Sequence, residues 1–375
     1  MPKELFFGIM TGTSADGIDV VLSSMANTTI EIIDSESIDF PESIKTEIKA
    51  LCLPSGNELF RAHALGVQLS LMSARIINTI MQRNALCAND ILATGFHGQT
   101  IRHHPDTQPA LSIQIGCPST LAHHTRIKTI TDFRMADIAA GGQGAPLVPS
   151  FHRAAFHSSH ENRLILNIGG ISNITFLPAN KYIEPRGFDT GPGNTLLDEW
   201  IYKHHQKNYD AEGQWAKTGE VIPELLEDMM SDPYITKSPP KSTGKEHFNL
   251  NWLTQRLEPH SKPKPEDIQR TLLEFTCISI STSIKSIIEN SYFSQAFGLY
   301  LCGGGINNTL LVERLSLLNP NITIKSTLDL GLQPQLVEAC AFAWLASRTN
   351  AGLHGNLKSA TGASEDKILG GIYLP

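Results

Sequence analysis

Gly12-Thr13-Ser14-Ala15-Asp16-Gly17-Ile18-Asp19 falls between the apolar run Leu5 to Met10 and a second run that starts at Ile18 and ends at Leu22. Apolar strand, short Gly-rich polar turn, apolar strand is the pattern of a β-hairpin, here with an unusually polar tip. Glycine tolerates positive φ and lets backbone N–H groups come close to an anion. Asp16 and Asp19 set two carboxylates beside the hydroxyls of Thr13 and Ser14. In such a turn backbone N–H groups hold phosphate oxygens, and a carboxylate holds Mg2+ directly or through water. Taken alone, the same residues serve plain turn geometry equally well.

Two later segments tilt the balance towards phosphate. Asn167-Ile168-Gly169-Gly170-Ile171-Ser172-Asn173 follows the apolar Leu164-Ile165-Leu166 and repeats the hairpin pattern without repeating its sequence. Cys302-Gly303-Gly304-Gly305-Ile306-Asn307-Asn308 leads from a strand into a helix. Neither G-x-x-x-x-G-K-[ST] nor G-x-G-x-x-G occurs, which counts against P-loop and dinucleotide-binding Rossmann domains. The strand–turn–strand form suits an α/β, two-lobed fold of the actin/hexokinase-like, sugar-kinase ATPase type. In that fold two hairpin tips face each other across a central cleft and share the phosphates of a nucleotide.

Outward from the turns, Glu58 to Gln82 carries apolar residues at helical spacing and predicts a long helix. Pro118 to His124, Thr271 to Ile288, Asn308 to Leu318 and Leu336 to Arg348 predict further helices, and Asp90 to Thr94, Ile127 to Ile130 and Leu299 to Cys302 short strands. Asp232 to Lys264, rich in Pro, Lys and Ser, reads as loop with a short helix. Gly141-Gly142-Gln143-Gly144-Ala145-Pro146 is the strongest break. The expected division is an N-terminal lobe of 1–135 plus about 349–375 and a C-terminal lobe of 136–348.

The 375 residues suffice for two domains, and 41% hydrophobic with 18% charged residues is ordinary globular composition. A net charge of −7 argues against a broad nucleic-acid surface. The six cysteines are far apart, without a C-x-x-C pair, and read as buried thiols in a reducing compartment. No secretion signal and no apolar stretch of about 20 residues is evident, so a cytoplasmic protein without membrane partners is expected.

Further chemistry-bearing residues follow the strands. Gly187-Phe188-Asp189-Thr190-Gly191-Pro192-Gly193-Asn194 places Asp189 on a constrained turn before a helix, with Asn194 or Thr195 as N-cap. Such a carboxylate suits proton abstraction from an attacking oxygen, although for a lone Asp-x-Gly an Asx-turn ordering the chain ahead of the helix is the plainer role. His97, Gln99, Thr100 and Arg134 offer donors for a polyhydroxylated or anionic substrate; a structural pair with Asp132 or Asp137 is the plainer role for Arg134. The His pairs at 103–104 and 123–124 lack metal-ligand spacing and read as exposed loop residues.

With these strings in place, the chain closely resembles the anhydro-N-acetylmuramic acid kinases. The resemblance rests on Gly8 to Asp19, His97-Gly98-Gln99-Thr100-Ile101-Arg102-His103, Asp132-Phe133-Arg134, the stretch 140–149, Asn167 to Asn173, Phe188 to Asn194, Cys302 to Asn308 and Glu338 to Ala346. It implies ATP- and water-dependent conversion of 1,6-anhydro-N-acetylmuramic acid into N-acetylmuramic acid 6-phosphate during recycling of cell-wall fragments. Water attacks the anomeric carbon, the anhydro bridge opens, and the released O6 takes the γ-phosphoryl group. By resemblance Asp189 is the general base on that water and Glu338 a second carboxylate that helps place it. Gly12, Thr13, Ser14, Ala15, Asp16, Gly17, Ile18 and Asp19 go to the ATP phosphates and Mg2+, with Asp16 and Asp19 as metal ligands, directly or through water. Asn167, Gly169, Gly170, Gly303, Gly304 and Asn308 go to the nucleotide, while His97, Gln99, Thr100 and Arg134 line the sugar site. A homodimer and domain closure are implied as well.

Cys117 and Gln333-Pro334-Gln335 depart from the family pattern, which has Asp or Asn at the first and Asp-Pro-Asp at the second. Two other readings stand beside the main one: a kinase of another hexose on the same fold, and a non-catalytic sugar sensor. Regulators of this fold carry an added DNA-binding segment, for which a hairpin starting at residue 5 leaves no room.

Overall fold

The computed structural model describes residues 4–12, 15–26, 29–259, 263–289 and 296–375. Thr13 and Ser14 of the first turn lie outside the described residues. The chain divides into two compact units, Met1–Ala155 with Leu336–Pro375, and Phe156–Gln335.

In the first unit, β1 (Leu5–Thr11), β2 (Gly17–Ala26), β3 (Thr29–Asp39), β4 (Ile91–His104), β5 (Leu111–Ile115) and β6 (Thr129–Thr131) join the C-terminal strand Gly371–Tyr373. Across the sheet the order is C-terminal strand, β6, β4, β1, β2, β3, with β5 on β4. β1 runs antiparallel to β2 and parallel to β4, which is parallel to β6. All seven residues of β1 are buried, as befits a central strand covered on both faces. Phe7 and Ile9 join Leu65, Leu69 and Ile77 of the helix Glu58–Arg83 in one core. Gly8 points to the other face, where a Cβ would overlap the Ala339 carbonyl oxygen, and its cross-strand partner Gly95 would meet that of Phe342. Only glycine at both positions lets the helix Val337–Asn350 lie directly on the sheet.

In the second unit, β7 (Asn162–Ile168), β8 (Ile171–Leu177), β9 (Arg186–Pro192), β10 (Phe297–Cys302) and β11 (Thr323–Ser326) form a sheet of order β9-β8-β7-β10-β11. β7 is antiparallel to β8 and parallel to β10, which is parallel to β11. β3-β2-β1-β4-β6 and β9-β8-β7-β10-β11 are therefore one plan used twice, an α/β fold of the actin and sugar-kinase type. Leu164, Leu166 and Ile168 pack against Leu272, Phe275 and Ile280 of the helix Pro265–Glu289 and Leu311 and Leu315 of the helix Thr309–Leu318.

Several elements differ from the sequence reading. The unit boundaries fall after Ala155 and Gln335, not at 135/136 and 348/349. The glycines at 8 and 95 seat the helix Val337–Asn350, with Glu338 on it, in the first unit. β4 continues through 95–104, so His103 and His104 are half-buried strand residues, whereas His123 and His124 are exposed on the helix Pro118–Thr125. Cys52 and Cys87 are exposed rather than buried, and the six cysteines form no disulfide among the described residues. Glu58–Arg83 and Pro265–Glu289 are long and apolar enough to cross a membrane by length and composition, which interspersed polar residues hide from a search for unbroken runs. Both bury their apolar faces in the two cores.

Candidate functional site

In the first unit the site residues gather where β1 ends beside Gly98 and Gln99 of β4. The Thr11 hydroxyl donates to the Gly98 carbonyl at 2.8 Å, and the Gln99 amide donates to the Gly12 carbonyl at 3.2 Å. Ala15 N donates to the same carbonyl at 3.1 Å, with Ala15 at φ 60°. Gln99 is thus a buried brace on the turn, and the Thr100 hydroxyl accepts from Gln114 at 3.2 Å. The Ile18 side chain is fully buried, which leaves its backbone alone for a ligand.

Asp16 is exposed at the tip and Asp19 is partly buried, its Oδ1 accepting from Ser37 Oγ at 2.5 Å. Burial raises the Asp19 pKa; the Ser37 bond opposes this, and Asp16 and Asp39 push it further up. A carboxylate whose charge is disfavoured by neighbouring carboxylates fits a divalent cation, which would relieve that repulsion. Among the described residues no group of three His, Cys, Asp or Glu side chains is arranged around a metal. Mg2+ keeps waters and uses one or two carboxylates with phosphate oxygens, the donor type that Asp16 and Asp19 offer.

His97 is buried beside Arg134, whose Nη2 and Nε lie 3.0 and 3.3 Å from His97 Nε2. A guanidinium only donates, so Nε2 is an acceptor, and in the neutral ring the proton falls to Nδ1, which is buried without a hydrogen-bond partner among the described residues. Burial, then the Arg134 charge, holds His97 well below its ordinary pKa, hence neutral. Arg134 Nη1 also donates to the Gly144 carbonyl at 3.1 Å. Gly144 N in turn donates to Asp137 Oδ2 at 2.8 Å, while Asn356 and Thr361 donate to Oδ1 at 2.8 Å each. The Gly cluster at 141–146 thus orients Arg134 inside its unit. Glu338 lies in the first turn of its helix, one turn before Phe342, whose ring centroid is 4.6 Å from that of His97. The i, i+4 spacing puts Glu338 and Phe342 on one helix face.

In the second unit the second and third Gly turns meet at the ends of β7 and β10. Gly303 has φ 82°, and a Cβ there would overlap Asn167 Oδ1; at Gly305 it would overlap Ile168 Cγ2. Gly303 N donates to the Pro334 carbonyl at 3.0 Å, so the Gln333-Pro334-Gln335 segment steadies the third turn. The Gly169 carbonyl accepts from Asn194 N at 2.8 Å, and that of Gly170 from Gly193 N at 2.9 Å and Thr195 N at 3.1 Å. Asn194 holds the N-cap position of the helix Thr195–His205, but its side chain donates to the Ile168 carbonyl at 3.2 Å. Asn308 Oδ1 accepts from Leu311 N at 3.1 Å, capping the helix Thr309–Leu318, and Gly304 is exposed with open space around it.

Asp189 is buried on β9 opposite Asn173, a strand position rather than a turn. Its Oδ2 accepts from Thr243 N at 3.0 Å, its N donates to the Lys241 carbonyl at 3.2 Å, and its carbonyl accepts from Tyr234 OH at 2.8 Å. Burial and the nearby Asp189 charge push the Tyr234 phenol up. Lys241 is buried as well; burial lowers its pKa to about 8 against the pull of Asp189. Sequence reasoning missed Tyr234, Lys241 and Thr243, which lie in the Pro-, Lys- and Ser-rich stretch without periodicity; Pro239-Pro240 was its one local mark.

A family model described as anhydro-N-acetylmuramic acid kinase matches residues 4–375. A protein of that name from Saccharophagus degradans is 45% identical over 379 residues, covering 100% of both chains. One from Shewanella pealeana is 43% identical over 373 residues, covering 100% of this chain and 99% of its own. Among solved structures, the activator of 2-hydroxyisocaproyl-CoA dehydratase from Clostridium difficile with bound ADPNP overlaps 93% of this chain and 96% of its own, at 14% identity and a TM-score of 0.46.

Proposed function

The chain belongs to the anhydro-N-acetylmuramic acid kinase family, and on that premise we propose how its residues divide the reaction. It is a carbohydrate kinase that uses ATP to phosphorylate 1,6-anhydro-N-acetylmuramic acid. Asp189 takes a proton from water as that water attacks the anomeric carbon. The C1–O6 bond breaks, and O6 takes the γ-phosphoryl group from ATP, giving the 6-phosphate and ADP. Because O6 leaves C1 already carrying the bond electrons, no sugar hydroxyl needs deprotonation, and one base on water suffices. The buried seat of Asp189, with one amide on its carboxylate and two bonds fixing its backbone, is the observation that carries this reading.

Glu338 serves as a second carboxylate of the reaction. The Gly12–Asp19 turn, Asn167, Gly169, Gly170, Gly303, Gly304 and Asn308 bind the nucleotide. Asp16 and Asp19 hold Mg2+, which neutralises phosphate charge. Arg134 supplies a fixed cationic fork to the sugar and neutral His97 holds it in place, with Thr100 nearby and Gln99 as brace of the phosphate turn. The enzyme acts as a homodimer in the cytoplasm, a state that light scattering in solution tests.

Turnover in oxygen-18 water tests the reading. The expected product is the ring-opened 6-phosphate with label on the anomeric hydroxyl, after correction for spontaneous exchange. Unlabelled product from the anhydro sugar, or phosphorylation of an ordinary hexose alone, overturns it.

A further inference from the structure

The stretch 232–243 wraps one residue. Tyr234 OH donates to the Asp189 carbonyl, Asp189 N donates to the Lys241 carbonyl, and Thr243 N donates to the Asp189 carboxylate. Lys241 Nζ closes this loop on itself, donating to the carbonyls of Tyr234 and Ile235 at 3.1 Å each. The ammonium also lies 4.8 Å from the Tyr234 ring centroid and 5.9 Å from that of Phe188, the residue before Asp189. Upstream, Asp232 fixes the strap, accepting from Tyr234 N at 3.0 Å, Trp252 Nε1 at 2.8 Å and Arg256 Nη2 at 2.9 Å.

We propose that Lys241 is a positioning residue for the reaction, its buried ammonium buckling the strap around Asp189 and lending that carboxylate a positive charge within the same interior. The inference rests on Asp189 acting as the base. A buried ammonium is costly unless compensated, and two carbonyls, two ring faces and a nearby carboxylate are the compensation here. The attraction between Lys241 and Asp189 works in both directions, so the charge that sustains the ammonium also favours the carboxylate form. A surface lysine would be screened; this one sits in the unit's interior, where its field is strongest.

Three substitutions test this in the full-length enzyme with ATP, Mg2+ and the anhydro sugar. Lys241→Gln keeps a donor for the strap carbonyls and removes the charge. Its expected effect is a fall in kcat on the order of tenfold to a hundredfold, with both KM values within about twofold. Lys241→Arg keeps the charge and restores most of that loss. Lys241→Met removes both and is the most damaged. A folded Lys241→Gln enzyme with unchanged kcat overturns the charge role, and an Arg variant no better than Gln overturns it too. If Gln or Met unfolds the protein, circular dichroism shows it, and the Arg variant decides: near-normal kcat supports the proposal, loss with intact folding overturns it. Asp189→Asn separates the two readings. Full turnover in that variant breaks the base assignment, whereas a dead Asp189→Asn beside a normal Lys241→Gln breaks only the inference about Lys241.

Discussion

Where β1 ends in the first unit, β4 beside it passes through Gly98 at φ 74°; where β7 ends in the second, β10 beside it runs into Gly303 at φ 82°. Gly98 lies within, and Gly303 just after, a strand that runs parallel to the first strand of a hairpin, and both are touched by that hairpin, through Thr11 Oγ1 in one unit and Asn167 Oδ1 in the other. Around this shared frame the chemistry differs. The first unit surrounds its glycine with a neutral histidine, a guanidinium and a buried amide. The second places bare backbone there, Gly303 to Gly305, and carries Asp189 on β9, beyond β7 and β8 in the sheet. On the proposed assignment, one topology carries substrate-directed side chains in one unit and a backbone cradle with a base in the other.

The largest test of that contrast is Asp189→Asn. The variant keeps the shape of β9 and removes the base, and kcat is expected to fall on the order of 10² to 10⁴-fold while calorimetry shows nucleotide binding kept. The corresponding change in the first unit, His97→Gln, alters a neutral group and is expected to raise the sugar KM more than it lowers kcat. Equal loss of kcat in both would erase the division of labour.

Acid comes next. His103 and His152, both in the first unit, are held by burial at about 3, with Arg134 and then His104 adding to His103. His97 is lowered for similar reasons. A folded histidine that stays neutral binds no proton, whereas the unfolded chain binds one below the ordinary 6.5. Stability is therefore whole above 6.5 and falls as pH drops from there towards 3, by about 2 kcal/mol per buried histidine at pH 5. Asp19 and Asp132, both raised by burial, return part of this as pH falls, two groups against three. In the second unit burial pushes Asp232 up, but bonds from Trp252, His247 and the Tyr234 amide outweigh it and hold the carboxyl below 3.8, so its contribution fades only below that value. The lowered His204 is exposed and weighs little. Hydrogen exchange at pH 5 against pH 7 should show amides of the first unit opening first; earlier opening of the second breaks the contrast.

The repeated plan was legible because hairpins with Gly tips leave a short-range signal: Leu5 to Met10 and Leu164 to Ile168 are continuous apolar runs broken by glycine. Asp189, Glu338 and the three turns were legible as strings. What escaped depends on contacts between distant segments. Nothing near Gln99 says that its amide will meet the Gly12 carbonyl, and nothing in 232–243 says that an irregular strap will close on β9. The glycines at 8 and 95 escaped for the same reason, since their purpose is a helix some 250 residues or more further on.

Those glycines supply the next test. Gly95→Ala places a methyl group against the Phe342 carbonyl and the Ala346 side chain, and overpacking of this kind costs about 1–3 kcal/mol. Thermal melting should fall, and sugar KM should rise with it, since Phe342 and Glu338 share the displaced helix. Gly304→Ala, at an exposed position with nothing near its added methyl, is expected to leave the melt unchanged and to weaken ATP binding alone. A destabilised Gly304→Ala protein with normal ATP affinity contradicts the cradle.

Asn308 gives the smallest and sharpest split. Its Oδ1 caps the helix Thr309–Leu318, a role that requires only an acceptor. Asn308→Ala should therefore cost about 1 kcal/mol. Asp caps as well as Asn, so Asn308→Asp should melt like the wild type, and any loss of ATP affinity in that variant belongs to the missing amide and the added negative charge near phosphate. If Asn308→Asp binds ATP normally, Asn308 is a cap and no more, and the nucleotide cradle of the second unit contracts to the backbone of its glycines.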